Sequence, residues 1–268
     1  MHYDNSPHRA VILAAGLGSR LRPLTDDRPK PLIEVHGVPI LHNALRNLAA
    51  VGVKEATIVV GYRRKEIERC CGDIFAGVRI EYVVSDVFER TGSAYSLWLA
   101  RAALLRGDTW FLEGDVFFEL ALLQKVLRQE GDVAAVDLFD DTINGSAAWV
   151  NPDGSVREFR MNQSVASIGD EPLYKTVNVC RFTAQTLERT LVPALDRLIG
   201  EGTHKGYVEQ VLAQLIASGS LRLRGAFCSG LRWFEIDNAA DLRIAESIFA
   251  PNPLHAMGTA EQLAQAVG

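Results

Sequence analysis

Glycines and cations follow one another in a short stretch near the start of the chain. Six apolar residues, Ala10 to Ala15, are typical of a buried parallel strand. Gly16 and Gly18 come directly after them, where the lack of a side chain lets the backbone bend and bring its N–H groups close to a ligand. Arg20 and Lys30 supply positive charge a few residues later. Because a polyphosphate needs both donors and fixed cations, this stretch predicts a phosphate-binding loop.

Two common phosphate-binding motifs do not fit this loop. The dinucleotide fingerprint G-x-G-x-x-G requires a third glycine where this chain has Leu21, and the P-loop requires Gly-Lys-Ser or Gly-Lys-Thr, which does not follow here. The pattern that matches is A-A-G-x-G-x-R-L-x-P-L-T-x-x-x-P-K-P-L, from Ala14 to Leu32. It resembles the nucleotidyltransferases that join a nucleoside triphosphate to a sugar phosphate or a similar phosphate. The alternative is a glycine-rich turn on a basic surface.

The overall composition is typical of a globular protein. The chain has 268 residues, of which 48% are hydrophobic and 23% charged, and 28 Lys plus Arg against 33 Asp plus Glu give a net charge of −5. This acidic balance argues against nucleic-acid binding. The four cysteines have no metal-site spacing. Because the first nine residues are polar and no apolar run reaches the roughly 18 residues of a membrane helix, we expect a cytoplasmic protein without membrane contact. Monomer and homodimer stay open.

Apolar runs that suit strands alternate with helical patterns over the first half of the chain. This alternation is typical of a doubly wound, mostly parallel sheet with helices on both faces. The sequence therefore predicts an α/β, Rossmann-like fold, in which ligands bind at the carboxyl ends of the strands. The predicted strands are 10–15, 57–60, 78–84, 110–112 and 133–136, and the predicted helices are 40–50, 65–71, 94–105 and 120–129.

The pattern changes after about residue 139, where short strands and tight turns appear. Asn151-Pro152-Asp153-Gly154 predicts a turn between two strands, and we expect this hairpin to lie over the sheet as a small β lid. The lid, or acceptor-binding lobe, would span about 139–182 within one nucleotidyltransferase domain, 1–250, followed by a tail, 251–268. The further predicted elements are strands at 147–150, 155–160, 174–182 and 221–225 and helices at 184–199, 207–217 and 239–249.

Two aspartates follow predicted strands at the edge where ligands should bind. Asp115 comes after the strand at 110–112, and Asp237 comes after the strand-like run 233–236. Mg²⁺ favours one or two carboxylates together with substrate phosphates, and the resemblance implies that both aspartates hold this metal. Otherwise Asp115 would serve in a turn, and Asp237 would serve as a helix N-cap beside Asn238.

The resemblance also implies roles for three cations. Arg20 and Lys30 match residues that contact the triphosphate, and Lys175 matches a lysine that holds the acceptor phosphate. Lys175 begins an apolar strand, so its side chain must face a cleft or extend to the surface. These three are the expected catalytic residues, because positioning and charge neutralisation do most of the work in such a transfer. The residues expected to bind the nucleotide are Leu13, Ala14, Ala15, Gly16, Gly18, Ser19, Arg20, Lys30, Ser93 and Asp115.

The residues that open the third predicted helix bear on the nucleotide. Gly92-Ser93-Ala94 is close to the Gly-Thr-Ala turn of sugar-phosphate enzymes of the family. Tyr95-Ser96 instead fits phosphocholine and aminoalkylphosphonate cytidylyltransferases, although the asparagine that precedes Tyr-Ser in those enzymes is absent here. The short chain and the runs at 174–179 and 233–237 also look more like this subgroup, so CTP is the expected nucleotide.

The same subgroup implies an acceptor with an amino group. The ring of Trp149 and the carboxylate of Glu235 would together hold an ammonium group, with Tyr95 and Lys175 as further acceptor contacts. Packing within the lobe is the alternative for Trp149.

The sequence therefore leaves three candidate functions. The first is a Mg²⁺-dependent cytidylyltransferase that joins CTP to a small aminoalkyl phosphate or phosphonate, such as phosphocholine or 2-aminoethylphosphonate, and releases pyrophosphate. The second is a sugar-1-phosphate nucleotidyltransferase. The third is a nucleotide-sensing subunit without turnover, against which the joint presence of Arg20, Lys30, Asp115 and Asp237 argues.

Overall fold

The computed structural model describes residues 6–140, 145–169 and 171–250. The predicted tail, 251–268, and residues 141–144 of the predicted lobe lie outside the described part of the chain. In the described part, no helix is both long and apolar enough to span a membrane.

The strands follow the predicted alternation and add several short strands that the sequence did not reveal. Some of these short strands position the site described below. In chain order the strands are β1 (Arg9–Ala14), β2 (Glu34–Val35), β3 (Val38–Pro39), β4 (Glu55–Val60), β5 (Ile74–Phe75), β6 (Val78–Val84), β7 (Thr109–Glu113), β8 (Val116–Phe118), β9 (Asp132–Leu138), β10 (Gly145–Val150), β11 (Val156–Gln163), β12 (Tyr174–Phe182), β13 (Leu223–Phe227) and β14 (Trp233–Glu235).

The helices lie close to their predicted positions. The long helix predicted at 184–199 is present, and a π-helical turn, Leu187–Leu191, joins its two α-helical parts without a break. Short 3-10 turns at Ser19–Leu21 and Lys30–Leu32 shape the glycine loop and its end. The helices are α1 (Ile40–Ala50), α2 (Arg64–Cys71), α3 (Ser93–Leu99), α4 (Arg101–Leu104), α5 (Leu120–Leu127), α6 (Ala184–Thr186), α7 (Val192–Gly200), α8 (Val208–Ala217) and α9 (Ala239–Ile248).

One large sheet crosses the molecule, in the order β11-β10-β12-β7-β1-β4-β6-β5, with β9 pairing with both β12 and β13. The central strands β7, β1, β4 and β6 are parallel, as the alternation with helices predicted. Beyond β7 the sheet continues through β12, which runs antiparallel to β7 and to β9. The predicted α/β fold with a mostly parallel, doubly wound sheet is confirmed.

The sheet separates two apolar cores, because successive side chains of a strand point to opposite faces. Ile12 and Leu112 belong to the core that packs under α1 and α5, whereas Leu13 and Phe111 belong to the core under α3, α7 and α8. Burial on both faces explains why β1 is apolar without alternation.

The hairpin predicted as a lid is hydrogen-bonded into the main sheet. β10 pairs with β12, where Ala147 lies opposite Lys175, and β11 pairs with β10 on the far side. The hairpin therefore continues the plane of the sheet as its edge instead of lying across its face. Its predicted turn is present, since the N–H of Asn151 donates to Ser155 O over 2.8 Å.

A close approach at the start of α3 generates the first testable prediction. The N–H of Gly92 donates to His204 O over 2.8 Å, and a Cβ at Gly92 would lie 2.2 Å from the carbonyl oxygen of Gly206. Because that neighbour is backbone, Gly92→Ala must push α3 away from the 204–206 loop and should lower the free energy of unfolding by about 1–3 kcal/mol.

Gly200→Ala is the matched control, since a Cβ there meets nothing within 4 Å. Urea denaturation should show Gly200→Ala at or above the parent and Gly92→Ala below it. Equal midpoints for Gly92→Ala and the parent would contradict the close approach.

Candidate active site

A cleft of about 370 Å³ opens where β1 and β7 end. This is the edge at which the sequence predicts ligands. All ten residues predicted to bind the nucleotide line the cleft, which Asp237 also lines. The structure therefore gathers the residues of the glycine loop, the start of α3 and the end of β7 around one space.

The glycine loop and Lys30 depend on each other for space. Gly18 has a φ of +62°, a backbone conformation that glycine adopts without strain. A Cβ at Gly18 would lie 2.8 Å from Cβ of Lys30. The hydroxyl of Thr25 donates to Gly18 O over 2.9 Å and closes the loop. Gly18 is therefore required so that the stem of Lys30 can pass beneath the loop and enter the cleft.

The ammonium group of Lys30 joins the two predicted metal aspartates. Its Nζ lies 2.8 Å from Oδ2 of Asp115 and 2.7 Å from Oδ1 of Asp237. Burial alone would lower the pKa of Lys30, but the charges of Asp115 and Asp237 outweigh it and raise that pKa above its usual value. The guanidinium of Arg20 lies 2.9 Å from Oδ1 of Asp237 and is largely exposed at the mouth of the cleft. Burial would raise the pKa of Asp237, yet Lys30 and Arg20 lower it.

A short ribbon of two strands explains how distant aspartates meet. β8 and β14 pair antiparallel, with Val116 opposite Glu235. The N–H of Ile236 donates to the carbonyl oxygen of Asp115 over 2.9 Å. Asp115 immediately precedes β8 and Asp237 closely follows β14, so this pairing places the two carboxylates side by side.

Three carboxylates at the ribbon end could hold a divalent metal. Asp115, Glu235 and Asp237 each offer an oxygen, and these oxygens lie within 4.8 Å of one another. The second oxygen of Asp115, Oδ1, is buried and has no hydrogen-bond partner in the described part of the chain. Because hard divalent cations prefer oxygen ligands, and a buried carboxylate oxygen without a partner is costly, this donor set fits such an ion.

Lys175 is buried against Glu235, with only 2% of its side chain exposed. Its Nζ lies 2.8 Å from Oε2 of Glu235 and 2.9 Å from the carbonyl oxygen of Thr176. Asn178 donates to Oε1 of Glu235 over 3.2 Å, and Thr176 donates to Oδ1 of Asn178 over 3.0 Å. Burial raises the pKa of Glu235, and the charge of Lys175 opposes that rise. Lys175, on β12, thus binds Glu235, whereas Lys30 binds Asp115 and Asp237.

Two predicted acceptor contacts lie elsewhere. The guanidinium of Arg160 stacks 4.6 Å from the ring centre of Trp149, which packs on the small cluster of Phe139, Ala147 and Leu173. The ring of Tyr95 packs against Trp98 and His204. Neither residue is among the described residues that line the cleft, and the same holds for the other two predicted acceptor contacts, Lys175 and Glu235, which lie beside Asp115 and Asp237 instead.

The predicted ammonium cage is not formed in this arrangement. No hydrogen bond, ion pair or ring contact among the described residues joins Trp149 to Glu235. Both oxygens of Glu235 are instead engaged, by Lys175 and Asn178. This arrangement agrees with the packing alternative for Trp149, because the guanidinium of Arg160, from the same hairpin, covers one face of its ring.

Sequence reasoning missed several polar residues around the cleft. Glu113 lines it beside Tyr207, and burial, followed by the charge of Glu209, raises the pKa of Glu113 well above its usual value. Asn178 sits within β12 at a φ of +59°. A carboxylate at a strand end and an asparagine within a predicted strand were the available signals.

The fold and the cleft define an α/β protein with a glycine loop, two cations and an acidic group at the carboxyl ends of its strands. Residues 9–139 match the family described as nucleotidyl transferase. The matched segment contains the motif at 14–32, so the resemblance that this motif carries is confirmed.

Curated relatives carry the similarity beyond this segment. Over 250 residues the chain is 36% identical to CMP-5'-(3-aminopropyl)phosphonate synthase of Streptomyces rubellomurinus, spanning 92% of this chain and 40% of that protein. Over 126 residues it is 39% identical to UTP–glucose-1-phosphate uridylyltransferase of Haloferax volcanii, spanning 47% of this chain and 51% of that protein. The chain thus covers about half, or less, of the length of these relatives.

Solved structures share the fold. CTP:phosphocholine cytidylyltransferase of Streptococcus pneumoniae matches with a TM-score of 0.76 at 23% identity, covering 90% of this chain and 98% of that one. The inositol-1-phosphate CTP transferase of T. maritima matches with a TM-score of 0.71, also at 23% identity, covering 90% and 94%. At these identities the likeness supports the fold alone.

The ion pairs of Lys30 generate the second prediction. Lys30→Met leaves Asp115 and Asp237 close together without their shared cation, and removing one partner from a buried ion pair costs roughly 3 kcal/mol or more. In the absence of divalent metal, urea denaturation should show that loss. Millimolar Mg²⁺ should raise the stability of the variant more than that of the parent, because the freed carboxylates bind it.

Arg28→Met is the control, because Arg28 forms an ion pair with Glu34 on the surface, where such pairs contribute roughly 0–1 kcal/mol. Its stability should be close to that of the parent with or without Mg²⁺. If Lys30→Met behaves like this control, Lys30 does not hold the two aspartates together.

Proposed function

We propose that this chain is a Mg²⁺-dependent nucleotidyltransferase that joins CTP to a small aminoalkyl phosphonate or phosphate and releases pyrophosphate. The observation that carries the proposal is the group formed by Lys30, Asp115 and Asp237 at the end of the glycine loop. It combines donors, cations and carboxylates, which are the parts that a transfer between phosphates requires.

The reaction itself needs little covalent help. An oxygen of the acceptor phosphonate bonds to the α-phosphorus of CTP, and the bond from that phosphorus to the bridging oxygen breaks, so pyrophosphate leaves with the electron pair. Gly16 and Gly18 line the cleft, and their backbone N–H groups would bind phosphate oxygens there. Asp115, Glu235 and Asp237 would hold Mg²⁺, which would supply positive charge to phosphate oxygens.

The cations of the site keep donors free for the substrates. An ammonium group has three N–H donors. Lys30 uses two of them on Asp115 and Asp237, so one remains for an oxygen of the leaving pyrophosphate. Lys175 uses two on Glu235 and Thr176, so one remains for the acceptor phosphonate. Arg20, at the mouth of the cleft, would pair with the outer phosphates.

The choice of CTP and an aminoalkyl acceptor rests on similarity. The relative that matches over most of this chain is named a CMP-aminopropylphosphonate synthase. A second candidate, transfer to a sugar 1-phosphate, is favoured by the uridylyltransferase that matches about half of the chain at slightly higher identity. A nucleotide-sensing subunit would not need Lys30 and the carboxylates to be held in one group.

A third prediction separates these functions. Pyrophosphate release should be fastest with CTP and 3-aminopropylphosphonate or a similar acceptor, when four nucleoside triphosphates are crossed with aminoalkyl phosphonates, phosphocholine and sugar 1-phosphates. Faster turnover with a sugar 1-phosphate would establish the second candidate. No release with any pair, together with nucleotide binding, would establish the sensing subunit.

The fourth prediction concerns the acceptor phosphonate. Lys175→Met removes a charged hydrogen bond, a contact that contributes about 1.5–3 kcal/mol, so KM for the acceptor should rise roughly tenfold or more while KM for CTP stays nearly constant. Lys175→Arg, which keeps the charge, should retain more activity than Lys175→Met. An unchanged acceptor KM in a folded Lys175→Met protein would remove Lys175 from the acceptor site.

A further inference from the structure

The charged side chains that line the cleft are not all paired. Five described residues there carry charge, and four of them, Arg20, Lys30, Asp115 and Asp237, are bound to one another in one set of ion pairs. The carboxylate of Glu113, the fifth, makes no hydrogen bond or ion pair with any described residue. Glu113 is therefore the charged residue among the described cleft residues whose side chain is outside this set of ion pairs.

Glu113 lies on a different wall of the cleft from the glycine loop. It is the last residue of β7 and shares a sheet face with Phe111, which packs in the core under α3 and α8. The cleft residues on this side are Ser93 and Ser96 of α3 and Tyr207, which precedes α8. These neighbours offer hydroxyl groups and apolar surface but no positive charge.

A second carboxylate, that of Glu209, is close enough to act on Glu113. Glu209, in the first turn of α8, accepts a hydrogen bond from the hydroxyl of Ser146 over 3.2 Å at its Oε1. Its other oxygen, Oε2, is buried and has no hydrogen-bond partner among the described residues. Glu209 is not among the described residues that line the cleft, so Glu113 is the carboxylate that a ligand would contact, and Glu209 adds negative charge from outside the lining.

We propose that Glu113, supported by Glu209, recognises the ammonium group of the acceptor and so selects aminoalkyl acceptors over neutral ones. This assignment rests on the nucleotidyl transfer proposed above and replaces Trp149 and Glu235 as the ammonium site. An ammonium group brings both the positive charge and the donors that the free carboxylate oxygens lack. A sugar hydroxyl brings donors but leaves the charge uncompensated.

The strands that carry the two groups are neighbours in the sheet. Lys175, proposed to hold the phosphonate, is on β12, and β12 is the antiparallel neighbour of β7, whose last residue is Glu113. A short molecule with an anionic and a cationic end can face Lys175 with one and Glu113 with the other. Among the described residues, the set that could hold a metal ion comprises Asp115, Glu235 and Asp237 and does not include Glu113, so the acceptor is the expected source of the cation.

The test compares two acceptors of equal length that differ in charge. Glu113→Gln keeps the shape of the side chain and removes its charge. At saturating CTP, KM should rise at least tenfold for 3-aminopropylphosphonate and should stay constant or fall for butylphosphonate, while KM for CTP is unchanged. Glu209→Gln should shift the same ratio in the same direction by a smaller factor. Glu188→Gln, on the exposed surface, should behave as the parent does.

The outcomes separate this assignment from the proposed function. An equal loss for both acceptors, or no loss for the amine, in a folded Glu113→Gln protein would overturn the role of Glu113 while leaving the transfer reaction in place. If the parent releases no pyrophosphate with any acceptor, the proposed function fails. Calorimetric titration with 3-aminopropylphosphonate then decides the inference by itself, since binding must weaken at least tenfold in Glu113→Gln, and unchanged binding overturns it.

Discussion

The contact of one lysine with two aspartates holds the site together. Lys30 is separated from Asp115 by 85 residues and from Asp237 by 207, yet its Nζ lies within 2.8 Å of both carboxylates. Without a cation between them, two carboxylates so close together in a partly buried cleft would repel each other. The rest of the arrangement follows from this contact. Gly18 must lack a side chain because the stem of Lys30 passes beside it, and the β8–β14 ribbon must bring the aspartates to the same point.

A second network of buried polar contacts lies beside this group. Lys175 is almost fully buried, which is tolerable only because Glu235 and the carbonyl oxygen of Thr176 bind its ammonium group. Asn178 holds the other oxygen of Glu235 from a left-handed backbone position within β12. Such a conformation in a buried strand costs free energy, and it persists where neighbouring contacts compensate for it, commonly at functional sites. Glu235 therefore connects Lys175 to the acidic group formed with Asp115 and Asp237.

The sequence predicted much of the fold because the physical signals were local. Apolar runs at strand length and helical spacing marked the central strands, and the motif at 14–32 marked the loop that follows β1. The two aspartates were predicted because each follows a strand. What escaped prediction depends on pairing between distant segments: β8 is three residues long and is a strand only because it pairs with β14. The hairpin could not be distinguished from a lid, because the predicted strand at 174–182 does not reveal from its local pattern that it pairs with the hairpin.

The contacts of the residues expected to bind the acceptor were the hardest to predict, for the same reason. The spacing of Trp149 and Glu235 in the sequence does not show that Arg160 stacks on the first and that Lys175 binds the second. Glu113 was visible as the residue two positions before Asp115, but its lack of a partner is a property of the folded cleft. Charge pairing, unlike apolar periodicity, is decided by tertiary contacts.

The central claim is that Asp115, with Asp237 and Glu235, forms a divalent metal site at the end of the glycine loop. Titration with Mn²⁺ followed by electron paramagnetic resonance tests it most directly, because free and bound Mn²⁺ give different signals and no turnover is needed. The account predicts one Mn²⁺ bound per chain, tighter binding when CTP is present, and loss of that binding in Asp115→Asn. Mn²⁺ binding of equal affinity in the parent and in Asp115→Asn would contradict it.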